Sequence, residues 1–220
     1  MFFLAGPRQV GKTTLALTLL SDKTGSMNWD TDEGRGAILD KQFSASTLLV
    51  FDEIRKFRRW RNYLKGIYDS LARDQKILVT GSAKLDWYRF GGDSLQGRYL
   101  MHHLHPLSVA ELKIETTDGF QQLLELGGFP EPFFSGSKDE ARRWSRLYRT
   151  RLVREDVGSL ENLKDLGSVE VLASRLTDLV GSPLSINALR EDLQVAHQTV
   201  ARWLLSLERS FAFHRLEHRN

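Results

Sequence analysis

Eight residues near the amino terminus have the pattern of a phosphate-binding loop. Residues Gly6–Thr13 fit G-x-x-x-x-G-K-[ST] and lie between a short apolar run and a helical pattern. In such a loop the glycines let backbone N–H groups face a phosphate, the lysine spans the β- and γ-phosphates, and the hydroxyl ligates Mg²⁺. We therefore predict ATP and Mg²⁺ as ligands, with Lys12 on phosphate and Thr13 on Mg²⁺; the alternative is an ordinary Gly-rich turn. The predicted nucleotide contacts are Gly6, Pro7, Arg8, Gln9, Val10, Gly11, Lys12, Thr13 and Thr14.

Two adjacent acids could complete the Mg²⁺ site and supply a base. Asp52 and Glu53 directly follow the apolar run Leu48–Phe51. In P-loop proteins an acid at the tip of a hydrophobic strand anchors Mg²⁺, and a carboxylate beside it can deprotonate a water that attacks the γ-phosphate. We predict that Asp52 binds Mg²⁺ and that Glu53 is the catalytic base, which favours hydrolysis over transfer to another substrate. Taken alone, the pair could equally cap the next helix.

Two further residues could act on the γ-phosphate. Ser82 follows the apolar run Ile77–Thr80, and its hydroxyl would lie beside the γ-phosphate if that strand neighbours the strand before the loop. We prefer Ser82 to Thr80 as this sensor. Arg98 could be an arginine finger supplied by a neighbouring subunit of a homo-oligomer, where it would stabilise transition-state charge. The alternatives are a serine in a turn and an ordinary surface arginine.

Alternating strands and helices are predicted to hold these residues. The runs Phe2–Ala5, Leu48–Phe51 and Ile77–Thr80 are short and continuous, as expected of strands buried on both faces of a parallel sheet. Leu15 and Leu19 have helical spacing after the loop. A second helical stripe, between the last two runs, consists of Ile54, Phe57, Leu64, Ile67 and Leu71. This order predicts an α/β fold, a three-layer P-loop NTPase with a parallel sheet.

The second half of the chain is predicted to be helical. Capping-box spacing occurs at Ser108 with Glu111, and again at Ser137 with Glu140 before a helix to about Asp156. The segment Gly127–Pro132 is predicted to break any helix.

Two helices near the carboxyl terminus resemble a helix-turn-helix. They span Ser185–Leu193 and Gln198–Arg209, joined by the turn Gln194–His197. A DNA-reading helix presents contacting side chains at its start. Because this segment is only weakly basic, we prefer a structural or protein-docking role to DNA binding. The residues that would meet DNA are His197, Gln198, Thr199 and Arg202.

The composition excludes several classes of protein. Among 220 residues there are 31 Lys and Arg against 28 Asp and Glu, so the net charge of +3 is no global signature of a nucleic-acid or membrane binder. The lack of cysteine excludes disulfides and thiolate metal sites. No apolar run reaches the roughly 18 residues of a membrane span, and no signal peptide precedes the first strand. A cytoplasmic location is expected.

Several segments together resemble a family of bacterial and archaeal AAA-type ATPases that carry a C-terminal domain of unknown function. They are GPRQVGKTT, MNWD, LLVFDEIRKFRRWRNYLKGIYD, ILVTGSAKLD, GGDSLQGRYLMHHLHPLS and GGFPEP. The resemblance implies an AAA-type core with an additional strand and a catalytic glutamate, a helical lid and a winged helix. It places these parts at residues 1–112, 113–180 and 181–220. Members usually have a helix before the first strand and continue past the winged helix, so the chain is expected to be truncated.

Two basic segments could be either solvated surface or binding sites for phosphate. One is Arg55–Arg61, and the other is the predicted helix from Arg142 to Arg154 with its six arginines. A helix with one apolar stripe turns its remaining faces to solvent, so a solvated charged surface is the first interpretation. Binding to a phosphate backbone is the second. In the longer segment, an arginine could also sense nucleotide phosphate.

Three histidines close to one another do not predict a metal site. On a strand, His103 and His105 share one face while His102 points to the other, and no acid lies close by in sequence. The complete pattern predicts an ATP-binding protein that hydrolyses ATP to ADP and phosphate. The alternative is an ATP-gated switch that binds DNA or a protein partner through the winged helix, with hydrolysis only resetting it.

Overall fold

The computed structural model of the chain describes residues 1–72, 74–81, 95, 97–158 and 165–213. It divides the chain into two units, Met1–Pro106 and Leu107–Asn220. The predicted division at residues 112 and 180 stays a prediction. Ser82, the predicted sensor, lies outside the described residues.

The first unit is built on a five-stranded parallel sheet with the spatial order β2-β3-β4-β1-β5. This confirms the predicted parallel α/β fold, and β4 lies between β3 and β1. The short edge strand β2 was not predicted. The strands are β1 (Phe2–Ala5), β2 (Ser26–Asn28), β3 (Leu48–Asp52), β4 (Lys76–Gly81) and β5 (Leu100–His103).

Helices cover both faces of this sheet. Successive residues of a strand point to opposite faces, so the continuous apolar runs fill two cores. On one face Phe3, Phe51 and Val79 pack with α2 and α3; on the other Leu4 and Val50 pack with α1. The helices are α1 (Lys12–Thr18), α2 (Asp32–Leu39) and α3 (Trp60–Ser70).

The predicted helix from Ile54 onward is wrong at its start. Residues Ile54–Lys56 form a single 3₁₀ turn, Phe57 is extended, and α3 begins only at Trp60. The ring of Phe57 stacks on Trp29 with centroids 4.9 Å apart. A spacing of three residues suits a 3₁₀ turn as well as an α-helix, so the apolar stripe could not distinguish the two.

The regular secondary structure in the described part of the second unit is all helical, as predicted, and it begins at Thr117. Ser137 accepts a hydrogen bond from the backbone N–H of Glu140 at 3.3 Å, and Ser185 caps its helix in the same way. The pair Ser108 and Glu111 also forms its hydrogen bonds but closes a turn and not a helix. The helices are α4 (Thr117–Leu126), α5 (Pro130–Ser135), α6 (Lys138–Arg151) with a π-helical continuation (Leu152–Val157), α7 (Leu166–Asp178), α8 (Ile186–Leu193) and α9 (His197–Arg209).

Two details of this unit bear on the predictions. The segment Gly127–Pro132 does end α4, but Pro130 occupies the first turn of α5, where its missing N–H has no helical partner to lose. Helices α8 and α9 form the expected pair around Gln194, which has a left-handed backbone (φ 54°). The described residues of this unit contain no strand that could be a wing, so the winged helix stays a prediction.

Candidate functional site

The glycine-containing loop lies at the carboxyl edge of the sheet. It leaves β1 after Ala5 and ends where α1 begins at Lys12. Gly11 has φ 100°, a conformation that glycine adopts without strain. At Gly6 any side chain is excluded, because a Cβ would lie 2.3 Å from the carbonyl oxygen of Leu104. The glycines thus let the loop lead directly into a helix N-terminus, where backbone N–H groups can bind an anion.

The side chain of Lys12 is folded onto this loop. Its Nζ donates to the carbonyl oxygens of Gly6 at 3.0 Å and Pro7 at 2.6 Å, and the residue is 7% exposed. A buried ammonium is stable only with such acceptors. The loop therefore holds a positive charge that has already lost most of its water, next to the N-terminus of α1.

Asp52 connects the loop to the middle of the sheet. Its carboxylate, 6% exposed, accepts hydrogen bonds from Thr13 Oγ1 at 2.9 Å and from the hydroxyl of Thr80. Parallel pairing explains the second contact, since Asp52 of β3 lies in register with Thr80 of β4. The structure thus brings together the two predicted Mg²⁺ ligands. Their hydroxyl and carboxylate oxygens are the donors that Mg²⁺ prefers, and Mg²⁺ in nucleotide sites needs only one or two protein ligands.

Thr80 is a site residue whose role the sequence did not predict. The sequence offers Thr80 only as the less favoured phosphate sensor, whereas in the structure Thr80 is buried and its hydroxyl donates a hydrogen bond to Asp52. The available signal was a single polar residue at the end of an otherwise apolar run. Recognising it required knowing that β3 and β4 are neighbours.

Glu53 turns the chain sharply out of β3. It has φ 53° and ψ 19°, a left-handed backbone that costs a residue with a side chain about 1 kcal/mol or more. Such strain is concentrated at functional sites. The Glu53 carboxylate accepts a hydrogen bond from Arg55 Nε at 3.1 Å and lies 4.0 Å from Lys56 Nζ. The predicted base is therefore next to Asp52 in sequence and is held by a guanidinium.

Two family models match this chain. The model described as AAA domain matches residues 1–113, just over half of the chain. The chain belongs to the AAA domain family. A second model, described as Domain of unknown function (DUF8612), matches residues 117–220. The predicted resemblance is thereby confirmed for the AAA domain, and together with the loop geometry it indicates a nucleotide-binding protein.

Similar whole proteins extend well beyond this chain. Two uncharacterized proteins, from Mycobacterium tuberculosis and Mycobacterium bovis, are each 26% identical over 209 residues, covering 93% of this chain and 46% of their own length. The chain thus spans about half the length of these curated relatives. A solved structure, the DNA clamp loader delta protein of Bacillus subtilis, is 12% identical with a TM-score of 0.41, covering 97% of this chain and 84% of that chain. This last likeness is too distant to bear on function.

The basic segment of the AAA domain is largely occupied by local contacts. The segment Arg55–Arg61 contains five cations, of which Lys56, Arg58 and Arg59 are exposed. Three of the five have partners within the unit: Arg55 binds Glu53, Lys56 Nζ binds Asp30 Oδ1 at 2.7 Å, and the guanidinium of Arg61 lies 4.7 Å from the Trp60 ring centroid. This favours the interpretation of a structured surface over that of a free phosphate-binding patch.

Arg98 lies at the opposite edge of the sheet from the loop. It precedes β5, whose first residue, Leu100, pairs with Phe2 at the start of β1. Arg98 is 32% exposed in its side chain, and its Nε is 3.2 Å from Asp69 Oδ1. This position at the other end of the strands gives Arg98 no role at the loop of its own chain, so both the role in a neighbouring subunit and the alternative of an ordinary surface arginine stay open.

The remaining predictions concern a metal and the membrane. His103 and His105 have ring centroids 6.2 Å apart, and the described residues contain no group of three or more His, Cys, Asp or Glu that could hold a metal ion. Within the same residues, no helix is long and apolar enough to cross a membrane.

Proposed function

We propose that this AAA domain binds ATP with Mg²⁺ and hydrolyses it to ADP and phosphate. The observation that carries the proposal is the buried carboxylate of Asp52, which accepts a hydrogen bond from the hydroxyl of Thr13, the residue directly after Lys12. Membership of the AAA domain family supports nucleotide binding. Glu53, adjacent to Asp52, supports hydrolysis because it places a second carboxylate at the same strand end.

Each residue of the loop edge then has a defined task. Lys12 and the backbone N–H groups of the loop bind the β- and γ-phosphates, which replace the carbonyl partners of Lys12. Thr13 and Asp52 would hold Mg²⁺, which neutralises developing charge on the phosphate oxygens when bound. Thr80 fixes the orientation of the Asp52 carboxylate.

Glu53 orients a water and accepts its proton. The water oxygen forms a bond to the γ-phosphorus, the bond from that phosphorus to the β–γ bridging oxygen breaks, and ADP leaves with the bond's electrons. For this step the Glu53 carboxylate must accept a hydrogen bond from water in addition to, or in place of, that from Arg55.

Glu53→Gln separates binding from chemistry. The amide keeps the size of the side chain but is no base, so ATP should bind with near-normal affinity while turnover falls about 10²- to 10⁴-fold. Binding is measured by titration calorimetry and turnover by phosphate release. Glu33→Gln, an exposed acid at the start of α2, is the matched control and should change neither. Equal turnover in the Glu53 variant and the parent would refute the role of the base.

A second candidate is an ATP-gated switch with slow hydrolysis. The observation in its favour is the Arg55–Glu53 ion pair, which engages the base. Removing one hydrogen bond of about 0.5–1.5 kcal/mol should then let Arg55→Gln turn over ATP roughly two- to tenfold faster. The switch also requires that duplex DNA or a partner bind differently with and without ATP. An anisotropy titration with duplex DNA that shows no binding at low salt in either state excludes the DNA version.

A further inference from the structure

A cationic groove lies in the second unit, between the end of α4 and one side of α6. Its volume is about 500 Å³, and one wall is the segment 124–127 of α4 and its cap. The other wall is α6, which contributes Arg142, Arg146 and Arg149. We refer to this depression as the arginine groove.

Helical geometry explains why these three arginines share one wall. They are four and three residues apart, so their side chains fall on one side of an α-helix, at steps of roughly 6 and 4.5 Å along its axis. The other side of α6 is anchored by aromatic packing. The Trp144 and Tyr148 rings stack with centroids 4.7 Å apart, and both contact Phe129, at 4.8 and 5.0 Å. The arginines therefore project from a fixed helix.

The groove carries an excess of positive charge. Arg142 Nη1 lies 3.8 Å from Asp139 Oδ1, whereas among the described residues no acidic side chain lies within ion-pair distance of Arg146 or Arg149. Glu125 is the one acid of the lining, and it is already bound to Lys138 Nζ at 2.7 Å. That hydrogen bond holds the pKa of Glu125 below its usual value, so its charge is present but neutralised locally.

We propose that the arginine groove binds the phosphate backbone of single-stranded nucleic acid. A planar guanidinium donates two parallel hydrogen bonds to a phosphate, and three in a row match a chain of phosphates better than one isolated anion. Leu124, 62% exposed at the rim, offers apolar surface to a base or sugar. The shape favours a single strand over a duplex. A concave pocket of this volume accommodates a ligand of drug size, which is about the size of a short piece of single strand. A duplex is usually recognised by a helix that projects into its groove, and the arginine groove is a depression.

The test compares two double variants of α6 in the full chain without nucleotide. Arg146→Gln with Arg149→Gln removes two groove arginines; Arg143→Gln with Arg151→Gln removes two exposed arginines of the same helix that do not line the groove. Fluorescence anisotropy follows a labelled oligothymidylate of roughly 20 nucleotides at several salt concentrations. We expect the groove variant to bind about tenfold or more weakly and to lose about 1.4 from the log–log salt slope, and the control to stay close to the parent.

Several outcomes would overturn this proposal. The first two are no binding of the oligonucleotide by the parent at low salt and an equal loss of affinity in both double variants. The third is tighter binding of a duplex with the same dependence on the groove arginines. The fourth is that polyglutamate competes as well as unlabelled oligonucleotide, which would indicate an acidic protein partner. Circular dichroism and thermal unfolding check that both variants fold. As a second readout, Arg146→Lys with Arg149→Lys should keep the salt slope but lose affinity, because the charge remains without the planar fork. Without ATP in the assay, failure of this proposal is independent of the proposed hydrolysis.

Discussion

At the scale of single residues, the site depends on a hydrogen-bond chain from the loop to the middle of the sheet. Thr13 and Thr80 both donate to the carboxylate of Asp52, one from α1 and one from β4. A buried carboxylate with two donors has one orientation, which is what a metal ligand requires. Thr80 is therefore a positioning residue in the proposed site.

Thr80→Val should weaken the response to Mg²⁺. The substitution keeps the shape of the side chain but removes the hydroxyl, so Asp52 loses the donor that orients it. Loss of such a partner typically costs about 10- to 100-fold in metal affinity. The measurement is ATP turnover as a function of Mg²⁺ concentration. Thr80→Ser, which keeps the hydroxyl, should restore the parent's Mg²⁺ dependence; a Val variant with that same dependence would contradict the role.

At the scale of elements, the apolar pattern predicted what was buried but not every boundary. Runs of continuous apolar residues correctly predicted β1, β3 and β4, because the strands of a parallel sheet are buried on both faces. The start of α3 could not be predicted, since Phe57 packs against Trp29, which lies in the turn after β2 and is distant in sequence. The pattern of the phosphate-binding loop and the acid pair could be read from the sequence because each is contiguous; the Thr80 contact could not, because it depends on which strands are neighbours.

Tyr63 joins two helices of the first unit and gives them a pH dependence. Its hydroxyl, on α3, donates to the carbonyl oxygen of Ile38 on α2, and burial raises its pKa to about 12. The unfolded value is about 10, so the folded state retains a proton that the unfolded state loses. The contribution of Tyr63 to the free energy of unfolding is therefore complete below pH about 10 and declines as the pH rises towards about 12.

Tyr63→Phe should therefore remove that decline. At neutral pH the variant should be about 1 kcal/mol less stable, because the hydrogen bond is lost, and the difference from the parent should shrink as the pH passes through the window. Urea unfolding at several pH values measures it. Tyr68→Phe, at an exposed position of the same helix, is the control and should parallel the parent throughout. A constant difference for Tyr63→Phe would refute the assignment.

At the scale of the whole molecule, a small net charge averages over two local clusters to which we assign different proposed functions. The net charge is +3, yet α6 alone carries five arginines between residues 142 and 151. The proposed nucleotide site belongs to the first unit and the arginine groove to the second. Overall charge therefore predicted neither site, because both depend on local clusters.

Arg98 provides a test of assembly. If it completes the site of a neighbouring subunit, specific activity should rise with protein concentration, and Arg98→Ala should lose about a hundredfold or more of the activity of the assembled protein. Turnover measured over a range of protein concentrations, alongside light scattering, tests this. Arg58→Ala, an exposed arginine of the same unit, is the control. Turnover independent of concentration would count against a finger between subunits.

The stacking of Phe57 on Trp29 has a spectroscopic consequence. The backbone N–H of Trp29 donates to the carbonyl oxygen of Asp52 at 3.0 Å, while its indole lies against Phe57. A fluorophore is thus tied to the strand end that carries the proposed metal ligand. In a variant that keeps Trp29 as the sole tryptophan, changes in emission on adding Mg²⁺ and nucleotide would follow the site without any attached dye.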